Sequence, residues 1–147
     1  MRRAIILHRA GHIPGRPTDC LRLDYEARFL RRRKLITTQG AEVLIDLPET
    51  VSLHHGDALE DENGGLIIIE AQPEALLKVT GNLPRLAWHI GNRHAPCQIA
   101  HDHLLLRDDP VMADMLTHLG ADVTRVLAPF TPERGAYGHG RTHGHTH

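Results

Sequence analysis

The last nine residues of the chain carry four histidines, a residue type and spacing that suit metal binding. Gly, Thr and one Arg separate them, so the segment supplies no apolar surface for a core. Imidazole nitrogens are ligands for Ni, Zn, Cu and Fe, and histidine-rich tracts are typical of metal binding. A purification tag is the alternative interpretation, but a tag is usually one unbroken run of histidine. We therefore predict a disordered tail over residues 138–147 whose metal ligands are His139, His143, His145 and His147.

His94 is a fifth candidate ligand, and the residues around it predict how it is held. It lies in the run Gly91-Asn92-Arg93-His94-Ala95-Pro96, directly after a predicted helix. We expect Gly91 to end that helix and Pro96 to fix the path of the chain beyond it, which would present His94 on a rigid turn. A purely structural role is the alternative interpretation, since a histidine at a helix C-terminus is favoured there by the helix dipole.

Two further sets of residues near His94 in the sequence are weaker candidates. His101 and His103 flank Asp102 on a predicted hairpin. Residues i and i+2 of a strand point to the same side, so these two imidazoles would share an ion. Cys97 would be a strong ligand as a thiolate. The alternative interpretations are a solvated turn for the histidines and a small buried hydrophobe for the cysteine.

Composition and charge weigh against several classes of function. With 41% hydrophobic residues the 147-residue chain can form a core, and its formal net charge of -1 gives no general attraction to nucleic acid or a membrane. The basic run Arg31-Arg32-Arg33-Lys34 has no interleaved aromatics for base stacking, so we interpret it as a solvated face. No apolar run has the length of a membrane span or the form of a signal peptide. The two cysteines are too few for a disulfide framework, and we expect a cytoplasmic protein with free thiols.

The elements that must position these ligands fall into two halves of the chain. Short apolar runs separated by turn residues fill the first half, which predicts a small β-domain of sandwich or barrel type. In the second half, residues 83–90 have helical spacing behind the candidate N-cap Asn82. Residues 112–119 repeat that spacing between Asp109-Pro110 and Gly120.

Together these patterns predict an α+β protein with two domains and a tail. We expect an N-terminal β-domain over residues 1–72, a ferredoxin-like domain of order β-α-β-β-α-β over residues 73–137, and the tail over residues 138–147. The predicted strands are residues 4–7, 21–23, 35–38, 43–45 and 66–69 in the first domain and 75–79, 97–100, 104–106 and 123–127 in the second.

Several motifs of the chain resemble those of the UreE family of urease accessory nickel metallochaperones. The run from Gly91 to Pro96 resembles the family's central motif. Leu119-Gly120-Ala121 and Pro129-Phe130-x-Pro132-Glu133-x-Gly135-Ala136-Tyr137 resemble its C-terminal signature. Gly56-Asp57-Ala58-Leu59 and Ala71-x-Pro73-Glu74 are similar to its N-terminal half. The resemblance extends over nearly the whole chain.

This resemblance implies a fold, partners and a cargo. It implies a peptide-binding-like N-terminal domain, a ferredoxin-like metal-binding domain, and a homodimer in which the two copies of His94 meet at the interface while tail histidines complete the coordination. The cargo would be Ni(II), delivered with the urease accessory GTPase to the apo-urease complex, and Zn(II) or Cu(II) would also bind in vitro. Asp108-Asp109-Pro110 stands where some members carry two further histidines, which puts a peripheral metal site in doubt.

Catalysis is not expected, and other functions stay open at this point. The sequence has no HExxH, P-loop, Gly-x-Ser-x-Gly or dinucleotide-binding glycine pattern, and no paired carboxylate base near the histidines. A metal-dependent hydrolase would need such a base. A metal-buffering or storage protein unconnected with urease would use the same ligands as a chaperone, and co-purification with the urease complex would separate the two.

Overall fold

The computed structural model describes residues 1–134, so the predicted tail ligands His139, His143, His145 and His147 lie outside the described residues. Within that range the chain forms two compact units, Met1–Gln72 and Pro73–Arg134. The first is a β-sheet unit, and the second combines a smaller sheet with two helices. The α+β class predicted from the sequence is confirmed.

The first unit is a six-stranded sheet with the strand order β2-β6-β5-β1-β4-β3. Its strands are β1 (Arg2–His8), β2 (Asp19–Leu23), β3 (Phe29–Ile36), β4 (Glu42–Ser52), β5 (Ala58–Asp61) and β6 (Leu66–Ala71). β1 runs parallel to β4 and β2 parallel to β6, and the other neighbouring strands are antiparallel. Because alternate residues of these strands are apolar, they form one core, which includes the fully buried Leu21, Ile45 and Ile67.

Three strands of this unit differ from the sequence prediction, and one of them, β4, continues to Ser52 rather than ending at residue 45. β3 begins at Phe29 rather than Leu35, so the basic run Arg31-Arg32-Arg33-Lys34 lies within a strand at the edge of the sheet. All four basic side chains are exposed, as predicted, and charged residues on an edge strand hinder its pairing with other chains. The sequence patterns do not predict β5, because two of its four residues are carboxylates.

The second unit is a four-stranded sheet with two helices, in the strand order β10-β7-β9-β8. Its elements are β7 (Glu74–Thr80), α1 (Leu83–Asn92), β8 (Gln98–Ile99), β9 (Leu104–Arg107), α2 (Pro110–His118) and β10 (Asp122–Ala128). This is the antiparallel sheet of a ferredoxin-like β-α-β-β-α-β unit, so that prediction is confirmed. The buried Leu86 and Ile90 of α1 and Met112 and Leu116 of α2 share one core with residues of β7 and β9. Neither helix of the described chain has the length and hydropathy that a bilayer span requires.

Both helices begin where the sequence predicts. Asn82 caps α1 by accepting a hydrogen bond from the N–H of Arg85 at 3.3 Å, and Asp109 caps α2 by accepting one from Val111 at 2.8 Å. Pro110 occupies the start of α2, where its missing N–H leaves no bond unmade. The two cap side chains and Pro110 therefore fix where each helix begins.

Candidate metal site

His94 lies at the C-terminal end of α1 in a backbone conformation that is uncommon for a non-glycine residue. The helix continues through Gly91 to Asn92, so the prediction that Gly91 ends it is wrong. His94 has a φ of 59°, and it is the one non-glycine residue among residues 1–134 with a positive φ. Its N–H donates to the carbonyl of Gly91 at 2.9 Å, and the N–H of Ala95 donates to that of Ile90 at 3.3 Å. These two bonds define the helix end in which a left-handed residue, usually glycine, reverses the chain.

This position holds His94 rigidly and is unfavourable for a residue with a side chain. The left-handed conformation costs an L-residue roughly 1–2 kcal/mol, which glycine avoids. Strained residues of this kind cluster at functional sites. His94 is also exposed, so its backbone is fixed by the helix end while its side chain is accessible. The rigid turn predicted at His94 is therefore present, but the residue that ends the helix in the left-handed conformation is His94 and not Gly91.

The face of α1 next to His94 has two features typical of a contact surface. Trp88 is 63% exposed. Gly91, three residues further on, shares its face, and a Cβ built at Gly91 would meet no atom within 4 Å. A helical glycine costs about 1 kcal/mol relative to Ala and permits close approach of another molecule. The sequence carried a signal for Trp88, since the chain's single tryptophan lies off the apolar stripe of a helix.

Cys97 follows His94 by three residues but is not poised to bind a metal. Its side chain is half-buried against the core of the second unit. Burial, together with the nearby Glu133 carboxylate, raises the pKa of the Cys97 thiol to about 11. The thiol therefore dominates at neutral pH, whereas a metal ligand must be a thiolate. This favours the interpretation of Cys97 as a small buried hydrophobe.

His101 and His103 do not have the strand geometry that the sequence predicts. The N–H of Ala100 donates to the carbonyl of His103 at 3.0 Å, which places His101 in the turn between β8 and β9 rather than on a strand. The Nδ1 of His103 lies 2.7 Å from Asp102 Oδ1, and this hydrogen bond lowers the pKa of the Asp102 carboxyl. The turn follows β8 whereas His94 precedes it, so the hairpin histidines and His94 lie at opposite ends of that strand.

The described residues alone do not complete a metal site. Within residues 1–134, no group of three or more His, Cys, Asp or Glu side chains is arranged to hold a metal ion. A metal ion bound at His94 would therefore need ligands from another molecule or from beyond Arg134. The end of the described chain contacts the segment that follows His94, because the N–H of Glu133 donates to the carbonyl of Cys97 at 2.8 Å. The assignment of the tail histidines as ligands stays a prediction.

Comparison with known proteins covers both units. Residues 5–72 match the family model for the N-terminal domain of the UreE urease accessory protein, and residues 70–147 match the model for its C-terminal domain. The urease accessory protein UreE of Ruegeria pomeroyi is 55% identical over 142 residues, which cover 96% of this chain and 95% of the relative. That of Rhodobacter capsulatus is 54% identical over 147 residues, with 97% and 94% covered. The protein of the same name from Azorhizobium caulinodans is 44% identical over 144 residues.

Proposed function

The chain belongs to the UreE family of urease accessory proteins, and from that premise we propose that it is a nickel metallochaperone. In this proposal it binds Ni(II) and delivers it, through the urease accessory GTPase, to the apo-urease complex, and it catalyses no reaction of its own. We place this step in the cytoplasm, where free thiols such as those of Cys20 and Cys97 persist. The observation that carries the proposal is the exposed His94, held at a helix end in a conformation that favours glycine.

We propose that two copies of His94 hold the ion in a homodimer. A two-fold axis beside His94 would place the same residue of the second chain opposite it, so that one histidine per chain becomes two ligands. The exposed Trp88 and the uncrowded Gly91 support an interface at this end of α1, because tryptophan is typical of interface centres and glycine permits close approach. The fixed backbone of His94 reduces the entropy lost when the pair forms.

Histidines of the tail complete the coordination in this proposal. Near the end of the described residues, Glu133 is bonded to Cys97, which is three residues from His94 in the sequence, and this supports the proposal. His139 follows Arg134 by five residues, which can span at most about 17 Å. Single histidine ligands outside the pair can exchange one at a time, which permits capture and release without breaking the His94 pair.

Calorimetric titration of Ni(II) tests the role of His94 directly. We expect wild-type protein to have a tight site that binds one ion per two chains, and His94→Ala to lose it. His118→Ala is the matched control, because His118 is also an exposed histidine at a helix end. Unchanged tight binding in His94→Ala would contradict the proposal and favour metal buffering by the tail.

The pH dependence of the affinity tests histidine coordination independently. Only neutral imidazole binds the metal, so the Ni(II) affinity is expected to fall as the pH drops below about 6.5. An affinity that stays constant from neutral to clearly acidic pH would exclude histidine ligands. Co-purification of the urease complex with the chain separates delivery from storage, since a storage protein would not retain it.

A further inference from the structure

We infer that residues 129–134, here called the strap, are a tether that sets where the histidine tail starts, with Phe130 and Gln98 as its positioning residues. This inference rests on the proposed function, because it assumes that tail histidines and His94 share one ion. It assigns a role to the Pro129-Phe130-x-Pro132-Glu133 motif, which contains no metal-binding histidine.

The strand order creates the need for a strap. β10, which precedes the tail, lies at one edge of the second sheet, and β8 lies at the other edge with β7 and β9 between them. His94 precedes β8 in the chain. Three residues separate it from Gln98, the first residue of β8. Three strand spacings of about 4.8 Å separate the two edges. A tail that left directly from the end of β10 would therefore start some 14 Å from the β8 edge.

Two hydrogen bonds fix the strap beside β8, and one buried side chain anchors it. Phe130 is fully buried, at 0% exposure. The N–H of Thr131 donates to the side-chain Oε1 of Gln98 at 2.9 Å. The N–H of Glu133 donates to the carbonyl of Cys97 at 2.8 Å. Pro129 and Pro132 restrict the backbone between these contacts and need no partner for an N–H.

The order of these contacts gives the strap its direction. Thr131 lies against Gln98, and Glu133, two residues later, lies against Cys97, which precedes Gln98. The strap therefore runs antiparallel to the segment that leads from His94 into β8, and it proceeds toward His94. The Glu133 carboxylate is close enough to Cys97 to contribute to the raised pKa of its thiol, which agrees with this path.

Release of the strap would lower the effective concentration of the tail histidines at His94. With the strap in place, His139 is six residues from the last fixed point at Glu133, and without it, eleven residues from the end of β10 at Ala128. Effective concentration falls roughly as the -3/2 power of tether length, so (11/6) to the power 1.5 gives about a 2.5-fold loss. The displaced starting point adds to that loss.

Ni(II) affinity in a matched set of full-length variants tests the strap. Gln98→Ala removes the acceptor for Thr131, and Gln98→Glu keeps an oxygen there. Phe130→Ala removes the buried anchor, with thermal unfolding measured alongside because a core side chain is lost. We expect the tight site to weaken about 2.5-fold in Phe130→Ala, which removes the buried anchor, and by less in Gln98→Ala, which removes one hydrogen bond, with Gln98→Glu close to wild type. The same substitutions are then made in a full-length chain whose four tail histidines are replaced by alanine.

In that second background the strap has no ligands to position, so its substitutions should leave the Ni(II) affinity unchanged. Equal losses in both backgrounds, or no loss in the first, would overturn the strap as a tether and leave the proposed function intact. If replacement of the tail histidines alone leaves the affinity of the tight site unchanged, the tail is not a ligand. That result would overturn both the tether and the tail's part in the proposed function.

Discussion

The two helices of the second unit end in the same hydrogen-bond pattern but use different residues in it. At the end of α2, the N–H of Gly120 donates to Thr117 and that of Ala121 to Leu116, both at 3.0 Å. At the end of α1, His94 and Ala95 make the equivalent bonds to Gly91 and Ile90 at 2.9 and 3.3 Å. Gly120 has a φ of +88° and His94 a φ of 59°.

This difference separates the needs of folding from those of function. The end of α2 uses glycine, which adopts the left-handed conformation without strain. The end of α1 has a glycine available at Gly91 but leaves it inside the helix, and it places a strained histidine three residues later. Proteins retain such strain where a specific side chain is required, at some loss of stability.

The largest effect is expected at the surface beside the end of α1. If the proposed homodimer forms through this surface, Trp88→Ala should weaken it by roughly 2–4 kcal/mol, or about 30- to 1000-fold in the dissociation constant, because a tryptophan at an interface centre contributes that much. Sedimentation over a concentration series measures it. Val111→Ala on α2, where Val111 is 64% exposed, is the matched control and should leave the dimer unchanged. A dimer as tight in Trp88→Ala as in wild type would move the interface elsewhere.

The next effect tests whether the end of α2 truly requires glycine. Gly120→His should destabilise the chain by about 0.5–1 kcal/mol, because the backbone strain exceeds what is gained from the lower unfolded-state entropy of histidine. No steric clash should add to it, since a Cβ at Gly120 would meet no atom within 4 Å. Denaturant unfolding of the metal-free protein measures the loss. The variant should gain no tight Ni(II) site, and a gain would show that a left-handed histidine suffices without the surroundings of His94.

The reverse substitution at α1 should stabilise the protein. We expect His94→Gly to raise the free energy of unfolding of the metal-free chain by about 0.5–1 kcal/mol, because relief of the left-handed strain exceeds the larger unfolded-state entropy of glycine. The same denaturant experiment measures it, with His94→Ala as the control that keeps the strain. A destabilised His94→Gly would mean that the imidazole makes contacts worth more than the strain.

The smallest effect is expected at Cys97. Cys97→Ala should change the Ni(II) affinity at neutral pH less than twofold, because the pKa of the thiol is raised to about 11 by burial and by Glu133. Alkylation by iodoacetamide in a Cys20→Ser background should stay slow in the folded protein until the pH approaches 11. A rate that rises already near pH 9, the ordinary pKa of a thiol, would contradict the buried environment.

The raised pKa of Cys97 also has a defined effect on stability. The folded state holds the thiol proton more tightly than the unfolded state, so this contribution is complete below about pH 9 and is lost as the pH rises toward 11. Comparison of wild-type and Cys97→Ala unfolding across that range isolates it.

Local sequence signals predicted much of the second unit and part of the site. Asn82 and Asp109 were predictable as caps because a side-chain oxygen bonds an N–H only two or three residues away. Gly120 was predictable as the end of the second helix, because the left-handed conformation needed there depends only on its own backbone. The same reasoning was wrong at Gly91, because helix α1 continues past this residue. Its end is set by the burial of Ile90 and by the hydrogen bonds of His94 and Ala95, and both depend on the folded core.

The sequence by itself determined the residue types that can bind a metal, the two helices with their starting points, the α+β class and the family. Each of these follows from residues close together in the chain or from motifs that can be read directly. Only the tertiary structure decided that His94 is the left-handed residue, that His101 lies in a turn, and that the strap returns across the sheet to Cys97. These features depend on strand order and core packing, in which residues far apart in the sequence fix one another's conformations.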